Sequence, residues 1–456
     1  MSITNRKPSP LLFVLLLLGG STALTAQNQL PDFVDIRPKL NSPLSRFGLG
    51  DPLDQVHAAA AGMGALEAIY QDGFHLNLQN PASLASLQST SFEVGLYARN
   101  SSITDRNGSA NAWQGNLRYL ALGFPLRNPL SLNYDRLQNS WNGGMAFSLV
   151  PTTVVGYDLL LEGEDPDFGT TSNALKGNGG TYRFSWSTAF RFRYLSAGLN
   201  LNYNFGTILN SRIVAFNDIT ESLATEFLQD ISVSGFSLGY GLQYTLNFKE
   251  ENKDGEKVPN GKRLIFGLNG TLGTDVDTDA SLLFRRFSPN GALFVSDTLR
   301  SEEGTTGVVT LPANYNIGLA FEDVNRLFVG AEFGRRLNSQ YRNTVRTEEQ
   351  LDANRLAVGV QYIPNATSYN RYWKRVRYRL GLRLEGDGRS VEGVQARRNA
   401  VTLGLGMPIR LPGQQISFLD LAVEYGSFGV PDILDENYVQ FTAGFSLNDN
   451  SWFFKR

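Results

Sequence analysis

Cysteine is absent from the chain and histidine nearly so, with only His57 and His75 among 456 residues. The first absence excludes disulfides, thiolate metal sites and a lipidated N-terminal cysteine, and it suits an oxidising compartment. The second leaves little material for catalysis, because nucleophile and base must meet in hydrogen-bonding geometry and both imidazoles fall in one N-terminal stretch. No enzyme and no cofactor is expected. Charged residues reach only 18%, below the roughly 25% of soluble domains. With 41 basic and 43 acidic side chains the formal charge is −2, so no polybasic argument for nucleic acid arises. After the first two dozen residues there is also no run of about 18 apolar residues, the length a transmembrane helix requires. Membrane residence must therefore come from strands.

The chain does supply strands. From Ser234 to Phe248, the side chains Phe236, Leu238, Tyr240, Leu242, Tyr244, Leu246 and Phe248 alternate with Ser237, Gly239, Gly241, Gln243, Thr245 and Asn247. Successive side chains on a strand point to opposite faces, so this run builds one oily ridge backed by small or polar groups. A membrane strand crosses the hydrocarbon with roughly 9–11 residues, and the run is longer than that. Similar ridges recur from Phe92, Val94 and Leu96 to Val439–Leu447, about 14 in all. The count is even, as in single-chain outer-membrane barrels. Connection lengths agree with it. The short links near Arg193, at Asp323-Val324 and at Leu411–Gln415 fall on one side, with moderate turns at Arg127–Asn139, Lys249–Gly261 and Pro364–Lys374. The long links Thr153–Gly180, Asn210–Asp230, Arg286–Leu311 and Asn338–Ala353 fall on the other. Such barrels have short periplasmic turns and longer outside loops. The stretch ending at Arg285-Arg286 is a candidate for a separate short strand.

Residues 1–26 read as a secretory signal peptide: Arg6 and Lys7, then Leu11–Leu18, then the small neutral run Gly19–Ala26. Cleavage fits after Ala23 or after Ala26. Residues 27–90 follow a different rhythm, with a small-residue helical stretch expected over His57–Tyr70 and then Asn77–Ala85. Apolar Phe47, Leu49, Leu66, Ile69, Phe74 and Leu84 make this segment a packed plug in a barrel spanning 91–456.

Other motifs resolve to strand features. Asp275, Asp277 and Asp279 resemble the start of a calcium loop, but Ala280 stands where its turn glycine belongs and Arg286 where its bidentate Glu belongs. Glu162, Glu164, Asp165 and Asp167 form an acidic outer stretch. Gly239-Tyr-Gly241 and Gly404-Leu-Gly406 do not complete a dinucleotide fingerprint. Parity places Arg377, Arg379, Arg383 and Glu385 on the inward face opposite Tyr378, Leu380 and Leu382. A charge facing lipid at mid-depth costs on the order of 2–4 kcal/mol, so a polar ladder in the lumen is expected, able to meet an anionic head group or the plug's acidic residues. Trp373 and Trp452 fit an interfacial aromatic belt.

Asn80-Pro81-Ala82 closing the plug, the first strand directly after it, Leu311–Ala320 opening a late strand and the ending Phe445–Phe454 together resemble the FadL (OmpP1/TodX) family of outer-membrane transport proteins. Ser42–Asp51 and Val423-Glu-Tyr-Gly426 look like its Bacteroidetes-type branch. The resemblance implies an all-β fold, a 14-stranded antiparallel transmembrane barrel of the bacterial outer membrane with an N-terminal hatch inside the lumen. It also implies passive uptake of hydrophobic small molecules such as long-chain fatty acids. On that reading Asp72, Phe74, Asn80, Pro81 and Ala82 contact ligand or form the hatch, and Gly143, Gly144 and Pro151 of the third strand mark a gap in the wall. Partners would be outer-membrane lipid and the hydrophobic ligand, with protein partners at the outer loops or periplasmic turns. Some relatives imply the alternative, a non-transporting barrel subunit of an outer-membrane secretion or protein-assembly complex.

Overall fold

The computed structural model describes residues 42–449 apart from 106–107, 128–140, 220–221, 252–256, 289–295, 347, 412–414 and 432. The stretch expected as a signal peptide, residues 27–41 of the expected plug, most of the turn at 127–139 and Trp452 lie outside the described residues. The period-two ridges become the strands β1 (Thr90–Asp105), β2 (Ser109–Pro125), β3 (Trp141–Asp165), β4 (Gly169–Phe192), β5 (Leu195–Phe216), β6 (Ala224–Glu251) and β7 (Lys257–Thr271). After an outer hairpin come β8 (Asn314–Asp323), β9 (Leu327–Arg336), β10 (Ala353–Tyr362), β11 (Arg377–Val391), β12 (Val394–Arg410), β13 (Ile416–Val430) and β14 (Leu434–Asp449). Each pairs antiparallel with its neighbour, and β14 returns to β1 in continuous register from Leu434–Asp105 to Asp449–Thr90. A closed barrel of 14 strands leaves no strand edge at either end of the sheet.

The ridges face outward. Phe236, Leu238, Leu242, Tyr244, Leu246 and Phe248 of β6 are all exposed, while Gln243 between them is 1% exposed. An oily exterior over a polar interior inverts the soluble pattern, and lipid is the solvent that makes it stable. Among the described residues no helix is long and apolar enough to cross a membrane.

Several expectations change. The expected loop Thr153–Gly180 is mostly strand: β3 and β4 run for 25 and 24 residues and turn only at Pro166–Phe168. The Arg286–Leu311 stretch belongs to a full hairpin, Thr274–Phe287 with Ser296–Leu311, whose first strand pairs along Ala224–Ser234 of β6. An outward oily ridge ends where lipid ends, so polar strand beyond the membrane carries no such mark. Asp275, Asp277 and Asp279 lie on this hairpin strand and share one exposed face. Likewise the helix expected over His57–Tyr70 is only Ala58–Ala61. It stops because Gly64 and Ala65 take left-handed φ of 66° and 59°, which reverses the chain.

Residues 42–89 pack against the inward faces of the wall. Met63, Leu66, Ile69 and Tyr70 form one buried cluster with Ile265, Ala320, Phe328 and Ala357. Leu76, Leu78, Leu84, Ala85 and Leu87 form another with Tyr119, Ala121, Ala146, Val150 and Ala189.

Candidate functional site

Inward parity puts charged side chains in the lumen, and the N-terminal segment meets them strand by strand. Glu93 of β1 accepts the Leu76 N–H at 2.9 Å, and Arg118 of β2 donates to the Val56 carbonyl at 2.9 Å. Gln243 of β6 donates to the Ala68 carbonyl at 2.9 Å. Glu332 of β9 accepts from the backbone N–H of both Glu67 and Ile69. Arg355 of β10 pairs with Glu67 at 3.1 Å. On β11, Arg377 pairs with Asp72, and Arg383 bridges Asp54 and Glu424 at 2.7 Å each. Arg389, also on β11, pairs with Asp51 and Asp387. The guanidiniums thus come from the wall and the carboxylates from both sides, so that buried charge is paired, as it must be.

A second cluster surrounds the histidines. His75 Nε2 lies 3.2 Å from Asp420 and its Nδ1 3.7 Å from Glu93, while its ring packs edge-on against Phe418. Burial alone would lower the His75 pKa, but Asp420, Glu93 and Asp72 outweigh it and raise it above the ordinary value. His57 stands 6.0 Å from His75 and 4.9 Å from Tyr70, ring to ring. Burial, reinforced by His75, pushes His57 down to about 3. The pKa values of two neighbouring imidazoles are therefore shifted in opposite directions. Asp54 and Asp72 resist burial in the same way: Arg383, Arg398 and Arg118 around the first, and Arg377 and His75 around the second, hold both carboxyls well below the usual range. The arrangement is an anchoring network, with charge matched to charge.

The space left in the lumen has a mixed polar and apolar lining. A cavity of about 280 Å³ lies between the N-terminal segment and the wall, and Gln55, Glu67, Gln79, Arg183, Asn204 and Arg355 help line it. Beside it the wall has a seam. β2 and β3 pair only from Leu120–Leu149 to Pro125–Gly144, and beyond Leu149 the edge of β3 is taken by the N-terminal segment instead. Asp51 and Pro52 pair with Val154 and Thr153, and the Leu53 and Ser42 N–H groups donate to the Thr152 and Gly156 carbonyls at 2.9 Å.

The structure places the sequence-derived residues as follows. Asn80 is fully buried, caps the 3-10 turn Pro81–Ser86 by accepting the Ala82 N–H, and donates to the Ala68 carbonyl at 2.6 Å. Pro81 and Ala82 are buried with it and none of the three lines the cavity. Asp72 accepts the Phe74 N–H at 2.9 Å, and Phe74 packs 5.9 Å from Phe418. Pro151 stands at the seam, two residues past the last β2–β3 pair and beside a register shift against β4. Gly143 and Gly144 lie below the seam in paired strand: a side chain on Gly144 would meet the Leu84 carbonyl, and Gly143 faces outward. Arg377, Arg379, Arg383 and Glu385 all point inward, with Arg379 held by Asp420 and Gln361. Sequence reasoning missed Glu93, Arg118, Glu332, Arg355, Arg389 and Asp420. Each alternates with lipid-facing ridge residues or continues such a strand, so the parity that located Arg377 would have found most of them.

Compared with known proteins, this barrel is similar in fold to the toluene transporter TodX of Pseudomonas putida. Two of its structures align with TM-scores of 0.54 and 0.55 at 16% identity, covering 88% and 87% of this chain and 99% of theirs. The CymD monoaromatic hydrocarbon channel aligns with a TM-score of 0.50 at 14% identity over 88% of this chain and 99% of its own. No curated protein matches. The model of the BamG family matches residues 36–456.

Proposed function

The chain belongs to the BamG family, and from that premise we propose that it is a hatch-filled outer-membrane barrel serving as a non-transporting subunit of a protein-assembly complex. The observation that carries this reading is how the lumen is occupied. Residues 42–89, the described part of the 27–90 hatch, are pinned by charge pairs or hydrogen bonds to β1, β2, β6, β9, β10 and β11. The remaining cavity has a mixed lining, in which Gln55, Glu67, Arg183, Asn204 and Arg355 stand beside Phe47, Leu49, Leu53 and Leu311. Releasing this hatch would separate buried ion pairs, Glu67 from Arg355, Asp72 from Arg377 and Asp54 from Arg383 among them, and buried charge is costly without its partner. Of the residues singled out as hatch contacts, Asp72 acts here as an anchor through Arg377. Of the rest of the ladder, Arg383 holds Asp54, with Glu385 beside it, and Arg379 is held by Asp420 and Gln361 of the wall. Phe74 packs against Phe418, and Asn80 caps the turn it opens with Pro81 and Ala82. Partner proteins meet the outer strand extensions and the periplasmic turns. The Bacteroidetes-type branch rests on Ser42–Asp51 and Val423–Gly426.

One observation favours a second reading, uptake of hydrophobic, long-chain fatty-acid-like molecules. The seam beside Pro151 is an interruption in the wall next to the hatch, and the TodX and CymD proteins of similar fold carry names for toluene and monoaromatic hydrocarbon passage. Purification from membranes in mild detergent followed by native mass spectrometry separates the two. The assembly reading expects stoichiometric protein partners on an otherwise ligand-free barrel. A barrel recovered alone with hydrophobic small molecules inside would replace it with uptake.

A further inference from the structure

Large outward side chains of the wall enclose a recess near one rim. At the periplasmic rim, where the tight turn at Arg193 joins β4 to β5, an apolar recess of about 420 Å³ is lined by Trp141, Phe190, Phe192, Leu195 and Ala197, with Arg191 at its border. Its shape follows from two small outward residues. Phe190 pairs across the strands with Gly143 on one side and Ala197 on the other, so a large ring is flanked by two gaps. A side chain on Gly143 would lie 3.0 Å from Leu126 and 3.3 Å from Phe190, closing one of them. The volume falls within the roughly 300–1,000 Å³ of small-molecule sites.

Two cations stand against the walls of the recess. The Arg127 guanidinium lies 4.8 Å from the Trp141 ring centroid and donates to the Trp141 carbonyl at 3.1 Å. The Arg193 guanidinium lies 5.3 Å from the Phe192 ring. Arg193 sits in the turn itself, with a left-handed φ of 54°, so its side chain is at headgroup level while Phe190 and Ala197 lie deeper along the strands. Apolar depth below and positive charge above is the chemistry of a phospholipid: an acyl chain fills the recess and the phosphate meets the guanidiniums. Basic pockets at a membrane surface select anionic headgroups, and an aromatic such as Trp141 is at home at that level.

We propose that the recess between β3, β4 and β5 is a specific site for one anionic phospholipid, held by Arg127 and Arg193 at its phosphate and by Trp141, Phe190, Phe192 and Ala197 along its chain. The proposal is independent of whether the barrel transports or assembles. It is tested on the full-length protein in mild detergent by native mass spectrometry during titration with phosphatidylglycerol or phosphatidylcholine. Four proteins are compared: the parent, Ala197→Phe to fill the recess, Arg127→Gln with Arg193→Gln, and Ala443→Phe as a control at another exposed outward alanine of the wall. Heat-modifiable gel mobility shows that each barrel is folded. The parent and Ala443→Phe should retain one phosphatidylglycerol in preference to phosphatidylcholine, Ala197→Phe should lose it, and the double Arg variant should bind it roughly tenfold or more weakly. Equal retention of the two lipids by the parent, or parent-like binding by Ala197→Phe or by the double Arg variant, would overturn the proposal and leave only annular lipid.

Discussion

Replacing Arg383 with Met is expected to destabilise the protein by about 3–5 kcal/mol, the range for removing one partner of a buried ion pair. Arg383 is 1% exposed and holds Asp54 of the hatch and Glu424 of β13 at once, with Glu385 at 3.9 Å. Methionine fills similar space yet leaves Glu424 buried without this cation and Asp54 with Arg398 at 4.0 Å. Glu424 keeps only the Tyr438 hydroxyl, which donates at 2.6 Å. Urea unfolding in detergent, followed by loss of heat-modifiable mobility, measures the change. Pairing Arg383→Met with Asp54→Asn should recover part of the loss, because the substitutions share one network and are not additive.

Gly381→Phe carries the second large effect, directed at the hatch. Gly381 lies on the inward face of β11, and a Cβ there would stand 2.0 Å from the Gly64 nitrogen and 2.3 Å from the Met63 carbonyl carbon. These are backbone atoms of the hatch and cannot rotate away. The φ of Gly381 is not in the left-handed region, so the strand itself accepts a side chain. The barrel should therefore close as before while the segment around Met63 and Gly64 is displaced. Limited proteolysis should cut within residues 55–70 of the variant and spare the parent. Gly386→Ala on the same strand, where a Cβ meets nothing nearer than 3.4 Å, should behave like the parent.

The strand count was legible because lipid imposes one rule on every crossing: apolar outward at period two. Each of the 14 ridges, from Phe92 to Leu447, became a barrel strand, and the inward placement of Arg377, Arg379 and Arg383 followed from the same parity. Beyond the membrane the rule lapses. Strand residues such as Asp158–Asp165 and Asp275–Thr278 face water on at least one side, so they read as loop. The hatch was the least legible part. Its fold depends on where Glu332, Arg355 and Glu93 present charge to backbone N–H and C=O groups, and no local pattern in residues 57–70 encodes that meeting. Asn80-Pro81-Ala82 lie within this segment, where the asparagine caps the turn Pro81–Ser86 by accepting the Ala82 N–H.

Depleting the protein from its parent bacterium tests most directly whether this filled barrel serves assembly. The account predicts that the amounts of unrelated outer-membrane barrel proteins fall, measured by quantitative mass spectrometry of the outer membrane, while uptake of a labelled long-chain fatty acid by the surviving cells is no lower than their membrane content explains. Unchanged barrel-protein levels together with a selective loss of fatty-acid uptake would contradict it.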